Sequence, residues 1–201
     1  MQRHFRRQES GVVGHIPAKA KKDVVVLDAI WDARRWNEEL QADLFRMNVA
    51  TATVWGRYVA GEMDQEFDGD PMLEWLRENA RIGAEEINAT TRDNIADALT
   101  QEEPRSAVQH LFEVAVAARA VQIARSKVTM ASVFGSQEGA RQSGLRTKTW
   151  QVNSSNSRHT DLDGETVSMG ERFSNGMRWP GDPAGGAENN ANCMCSLGLG
   201  R

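Results

Sequence analysis

Cysteine is nearly absent: the chain of 201 residues carries two, Cys193 and Cys195. Two thiols at i, i+2 cannot build the cross-linked framework of a small secreted domain, so a reduced, cytosolic protein is expected. Proline is scarce at five residues, and tyrosine occurs once. No apolar run approaches the ~18 residues that a membrane-spanning helix needs. No apolar stretch follows the basic residues at the N-terminus, so no secretory leader is expected. Charge of one sign is not in excess either. Lys and Arg number 24 against 28 Asp and Glu, a net charge of −4, which argues against a general nucleic-acid binder. A glycine-rich phosphate loop opening a helix is missing, as is any Ser, His and Asp set whose order suggests nucleophilic catalysis.

What is present reads as ordinary globular usage, 40% hydrophobic and 26% charged, with length for one or two domains. Residues 1–22 are polar, and Arg3, Arg6, Arg7, Lys19, Lys21 and Lys22 face only Glu9. They read as a basic flexible arm, able to dock on an acidic surface or on nucleic-acid phosphates. Residues 23–144 read as a helical region. From Asp23, a candidate N-cap, to about Glu62 there is no proline. Leu27, Ile30, Ala33, Leu40, Leu44, Met47, Val54 and Tyr58 recur there at three- and four-residue spacing, the period of one long amphipathic helix. Trp31, Trp36 and Trp55 stand beside that stripe. Trp31 and Trp36 are candidate partner contacts, since exposed aromatic patches mark interaction sites; the alternative is that they are core.

Asp70-Pro71 opens a second helix, expected to break at Asn88–Thr91. A third runs from Ser106 to Ser143 with Gly144 as its C-cap, weakened by Gly135 and Gly139. Arg125 lies on its apolar stripe and would need a carboxylate, for which the Asp161/Asp163 loop is the candidate.

Residues 145–201 change texture to Gly, Asn, Ser and Asp, yet retain Trp150, Phe173, Trp179 and both cysteines. Turn formers combined with burial-prone residues suggest a compact, loop-rich β unit. Short strands are predicted at Thr147–Val152, Thr166–Val167, Met177–Trp179 and Met194–Leu197. The fold class is therefore α+β: long helices first, then a small β-rich C-terminal module. His159, Asp163, Cys193 and Cys195 are the metal-ligand types within it. Two residues at i, i+2 on a strand share a face, so both thiols can look toward one histidine, which makes zinc a candidate cofactor. The competing reading is a pair of small buried thiols beside a histidine bonded to a loop carbonyl.

Six pieces of this last stretch stand in a particular order. They are Lys148-Thr149-Trp150, Arg158-His159, Leu162-Asp163-Gly164, Phe173-Ser174-Asn175-Gly176, Pro180-Gly181-Asp182-Pro183 and Asn192-Cys193-Met194-Cys195. In that order they resemble the C-terminal module of the phage Mu F-like minor head proteins of tailed bacteriophages, also called minor capsid or capsid morphogenesis proteins. Ile87–Asp93 and Ile123–Ser126 extend the likeness more thinly. The chain departs from the family pattern at Lys127, where related sequences carry an acid. The resemblance implies a non-enzymatic structural and assembly protein of the virion. It would sit in the capsid interior at the portal vertex, after assembly in the host cytoplasm. The implied partner is the phage portal protein, with major capsid or scaffolding protein and genomic DNA as further contacts. Genome packaging or delivery would be its task, and Arg3, Arg6, Arg7, Trp31 and Trp36 its candidate docking residues. The alternative is a metal-dependent hydrolase or nuclease built on His159, Asp163, Cys193 and Cys195.

Overall fold

The computed structural model describes residues 1–21 and 25–201. The expected cap at Asp23, like Lys22 of the arm, lies outside the described residues. Long helices fill the N-terminal part, and a three-stranded antiparallel sheet lies near the C-terminus, so the chain is α+β. Two compact units divide it, and neither is one continuous segment. The first combines Met1–Leu44 with Glu78–Val121, the second Phe45–Arg77 with Gln122–Arg201. The boundary read at residues 144 and 145 is thus a change of secondary structure inside the second unit.

In the first unit, residues read as a flexible arm form helix α1 (Gln2–Val13). Its inward face is His4, Phe5, Gln8, Val12 and Val13. Two of those five are polar, which is why the apolar pattern alone did not show a helix. α1 packs on α5 (Pro104–Val114) and on the wide π-type turn Ala115–Arg119 that follows it. Pro104 opens α5, where its missing N–H costs nothing.

The single helix expected from residue 23 is broken. Helix α2 (Leu27–Ile30) is one turn long, and α3 (Ala33–Gly61) starts after Asp32. The Arg35 amide donates to Asp32 Oδ1 at 2.9 Å, so Asp32 caps the helix that Asp23 was expected to start. α3 buries Trp36, Leu40, Leu44, Asn48, Ala52, Gly56 and Ala60, a repeat of four. At 3.6 residues per turn, each step of four moves the buried line around the helix by about 40°. Val54 and Tyr58, expected on the buried stripe, are exposed for that reason.

α4 (Leu73–Leu99) runs unbroken through Asn88–Thr91. The Thr90 and Thr91 hydroxyls donate to the carbonyls of Glu86 and Ile87, at 2.9 and 2.8 Å, rather than capping a new helix.

In the second unit, α6 (Ala120–Gln142) meets α3 backbone to backbone. A Cβ at Gly135 would collide with the carbonyl oxygen of Ala52, and one at Gly139 with that of Gly56. The two glycines read as weak points are therefore the points of closest approach. Around them Ala52, Met72, Leu76, Val133, Phe134 and Trp179 form a buried cluster, edged by Phe45, Val49, Phe67 and Trp75. Gly144, at φ +74°, turns the chain out of α6 as expected.

Strand β1 (Thr147–Gln151) is central, antiparallel to β2 (Thr166–Ser168) on one side and β3 (Ser196–Gly200) on the other. Lys148 lies opposite Val167 and Leu199, and Trp150 opposite Leu197. The strand's alternation buries Lys148 and Trp150 on one face. The strand predicted at Met177–Trp179 is a turn instead. There the Arg178 amide donates to the buried carboxylate of Asp182 at 2.8 Å, so it is not free for a ladder.

The glycine contacts give a test with opposing terms. Ala is the better helix former by ~1 kcal/mol. Gly135→Ala is nevertheless expected to destabilise the protein by about 1–3 kcal/mol, because overpacking against Ala52 outweighs propensity. Denaturant unfolding of the variant checks the sign.

Candidate metal centre

His159, Cys193 and Cys195 converge. Their ligand atoms all lie within 4.8 Å of one another, and all three residues are buried. His159 Nδ1 is 3.7 Å from each sulfur. Both cysteines are free thiols. A buried histidine with two thiols is a donor set able to hold a metal ion.

Local structure places each ligand. The His159 amide donates to Ser157 Oγ at 3.1 Å, and the short 3-10 turn Thr160–Leu162 follows, with the Leu162 amide donating to the His159 carbonyl at 3.0 Å. The imidazole meets the Trp150 indole edge-on, ring centroids 5.1 Å apart. Cys193 is fixed from α6, where the Thr129 hydroxyl donates to its carbonyl at 2.8 Å. The residue before it, Asn192, takes φ +57°, and its amide donates to Ser126 Oγ at 3.1 Å. Cys195 sits just before β3. Beneath the cluster, Trp150, Leu162, Phe173 and Met177 pack with both thiols into a small core. A pocket of about 110 Å³, edged by Asn153, Ser157, Asn189 and Asn192, opens beside it. That is room for water at a further coordination position.

The two thiols are unequal. Cys195 is pulled down to about 5, first by the hydrogen bond from the Cys193 thiol, then against burial by Ser157 and His159. The Trp150 indole N–H favours the same anion, although no nitrogen or oxygen acceptor lies within bonding distance of it. Cys193 is pushed up because it supplies that hydrogen bond and is buried. One thiolate is thus prepared within the protein. His159 Nε2 is buried without a hydrogen-bond partner.

Asp163, placed with these ligands by sequence, is not among them. It is exposed, and its Oδ1 accepts the Val152 amide at 2.8 Å, which fixes the β1–β2 connection. Arg125 is exposed and makes no ion pair with Asp161 or Asp163. The docking candidates divide as well. Trp31 and Trp36 are 7% and 2% exposed and belong to the core of the first unit, so the partner-contact reading does not hold for them. Trp36 starts the buried line of α3 and covers Gly11, where a Cβ would lie 2.9 Å from its ring. Arg7 is tied to Glu39 at 2.8 Å and Asp43 at 2.9 Å, while Arg3 and Arg6 are exposed on α1.

Sequence reading missed a buried polar network in the first unit. Asn88 Oδ1 accepts from Gln8 Nε2 at 2.9 Å and from His4 Nε2 at 3.0 Å, and Asn88 Nδ2 donates to Asn37 at 2.8 Å. Because that oxygen can only accept, His4 carries its proton on Nε2. Burial holds His4 below the ordinary imidazole value, toward the neutral form. Arg119 donates from the π-type turn to Thr91 Oγ1 at 2.7 Å and the Ile87 carbonyl at 2.9 Å. The signal available was the polar half of the α1 stripe.

No protein family, curated protein or solved structure matches the chain.

The inequality of the thiols is measurable in metal-free protein. A lowered folded value means that the stability due to the Cys195 anion is fully present above the unfolded thiol value of 9.0 and is lost as pH falls toward about 5. Ultraviolet titration is expected to show one thiolate forming near that lower value and the other still protonated at the ordinary thiol pKa. Ser157→Ala is expected to raise the first midpoint, since it removes one donor to the sulfur.

Proposed function

We propose that this chain is a structural and assembly protein of a tailed-phage head, of the Mu F-like minor head kind, and that its C-terminal module is closed by zinc. The observation that carries the reading is that all six pieces of the ordered motif have architectural jobs in one small module. Lys148 and Trp150 are the inward residues of the central strand. His159 faces Cys193 and Cys195. Asp163 and Gly164 close the β1–β2 connection, where the Gly164 amide donates to the Trp150 carbonyl at 2.9 Å. Phe173 to Gly176 make a turn, with Phe173 in the core beneath the thiols. Asp182 is buried and accepts the amides of Arg178 and Ala184. A sequence pattern spent on building a fold supports a structural role. The hydrolase or nuclease reading needs Asp163 beside the metal ligands, and that carboxylate is committed to a loop amide.

Zinc is favoured by donor chemistry and spacing. A tetrahedral ion with Zn–S of about 2.3 Å and Zn–N of about 2.0 Å puts sulfur and nitrogen about 3.5 Å apart. His159 Nδ1 stands 3.7 Å from both sulfurs. Bound there, zinc would tie the loop before Thr160 to the strand that starts at Ser196, stabilising the module as structural zinc does. Protein purified without chelator is expected to hold about one zinc per chain. The Cys193→Ser/Cys195→Ser double variant should lose it and melt lower. Metal-free wild-type protein with the same melting temperature as the double variant would remove zinc from the reading.

For the assembly role, the test is capture of the portal protein from infected cells. Helix α1 offers Arg3 and Arg6 as exposed cations for an acidic partner surface. Arg3→Glu/Arg6→Glu is expected to weaken portal capture by about tenfold, the scale of one or two lost charge contacts. Undiminished capture would put the docking surface elsewhere. Failure of wild-type protein to capture portal would count against the assembly role itself. No helix among the described residues is long and apolar enough to cross a membrane.

A further inference from the structure

The aliphatic stem of Lys148 points inward from β1, the residue is 1% exposed, and its ammonium is not paired with any carboxylate of the described residues. It donates to the Arg178 carbonyl at 2.7 Å and to Gln137 Oε1 at 3.2 Å. An ammonium has three N–H donors, so one is left over. The Phe173 ring, 5.5 Å away, is a soft contact and not an oxygen acceptor. A cleft of about 490 Å³ is lined by Lys148 and by Trp75, Phe134, Met169 and Trp179. That size is within the range of small-molecule sites.

We infer that this cleft is a binding site for a monocarboxylate with a flat apolar body, its carboxylate taken by Lys148. Charge argues for the anion. The other cations at the cleft are matched, Arg141 by Glu138 at 3.0 Å and Arg178 by Asp182 at 3.2 Å. Lys148 is the cation there with no carboxylate in contact. A single unused donor fits one carboxylate oxygen, whereas a phosphate dianion would bring more acceptors than the ammonium can serve and would meet the nearby Glu138 and Asp182. The wall argues for the body. Trp75, half-buried, is the aromatic ring of the cleft that a flat ligand can reach, and it is held in place by the buried Phe134 at 4.1 Å and Trp179 at 5.6 Å between ring centroids.

Binding is also expected to couple to protons. Burial first, and then the neighbouring Arg178 and Arg172, hold Lys148 down at about 8, against Asp182 and Glu171, which raise it. A bound carboxylate restores the charged form, so above that value the complex takes up a proton.

Calorimetry with benzoate tests the inference on the whole chain. At neutral pH, saturable one-to-one binding is expected, with benzyl alcohol and inorganic phosphate each weaker by about tenfold or more. At about pH 9, comparison of two buffers of different ionisation heat should show close to one proton taken up per benzoate bound. Lys148→Met, of similar length, should abolish binding. If that variant does not fold, the wild-type preference for benzoate over benzyl alcohol and phosphate decides. Absence of saturation, equal affinity for benzyl alcohol or equal affinity for phosphate each overturns the assignment. None of these outcomes depends on the assembly role or on zinc.

Discussion

The contact between α3 and α6 is the constraint on which the second unit depends. At Gly135 and Gly139 the two backbones meet with no room for one added carbon. Close approach of this kind needs small residues on both helices, and Ala52 and Gly56 supply them on α3. Once the backbones touch, the larger side chains on either side, Phe134, Leu76 and Trp179, fill a core whose depth is set by that contact. α6 also carries Thr129 and Ser126, which fix Cys193 and Asn192, so the same helix that closes the core holds one edge of the thiol cluster.

The thiol cluster and the Lys148 cleft are built from one strand. β1 turns Lys148 and Trp150 to the same face, two residues apart. Trp150 goes into the small core beneath Cys193 and Cys195, and Lys148 reaches toward Gln137 of α6. A lysine at such a position is costly to bury unless its donors are satisfied, and here two of three are. The arrangement therefore keeps a polar site next to an apolar one without mixing their chemistry.

Much of this was legible in the chain. The α+β class followed from the change of texture near Gly144, and three of the four predicted strands lie on or beside observed ones. His159 meets both cysteines as expected, although they lie in the loop just before β3 and not together on a strand. The losses have specific causes. The helix at residues 2–13 was hidden because His4 and Gln8 occupy its inward face and bond to Asn88. Trp36 opens a buried line on α3 that steps by four, which a stripe of three- and four-residue spacing does not follow, and Trp31 lies ahead of α3, at the end of the short α2. Asp163 looked like a ligand because a sequence cannot show that its carboxylate is already used by the Val152 amide. The Asn88–Thr91 break was a reading of local propensity, overridden where the threonines bond back into their own helix.

The drifting line of α3 has a consequence for how the chain can change. The helix is read at one phase around Trp36 and Leu40 and at another around Ala52 and Ala60. One residue inserted between Ala52 and Gly56 would turn Gly56 by about 100° away from Gly139 while Ala52 stays against Gly135, and even a four-residue insertion would leave an offset of about 40°. No whole number of added residues this small lets both positions meet α6 at once. In evolutionary terms this part of α3 is an indexed shaft: its side chains can be exchanged singly, but its length between the two contacts cannot be tuned gradually.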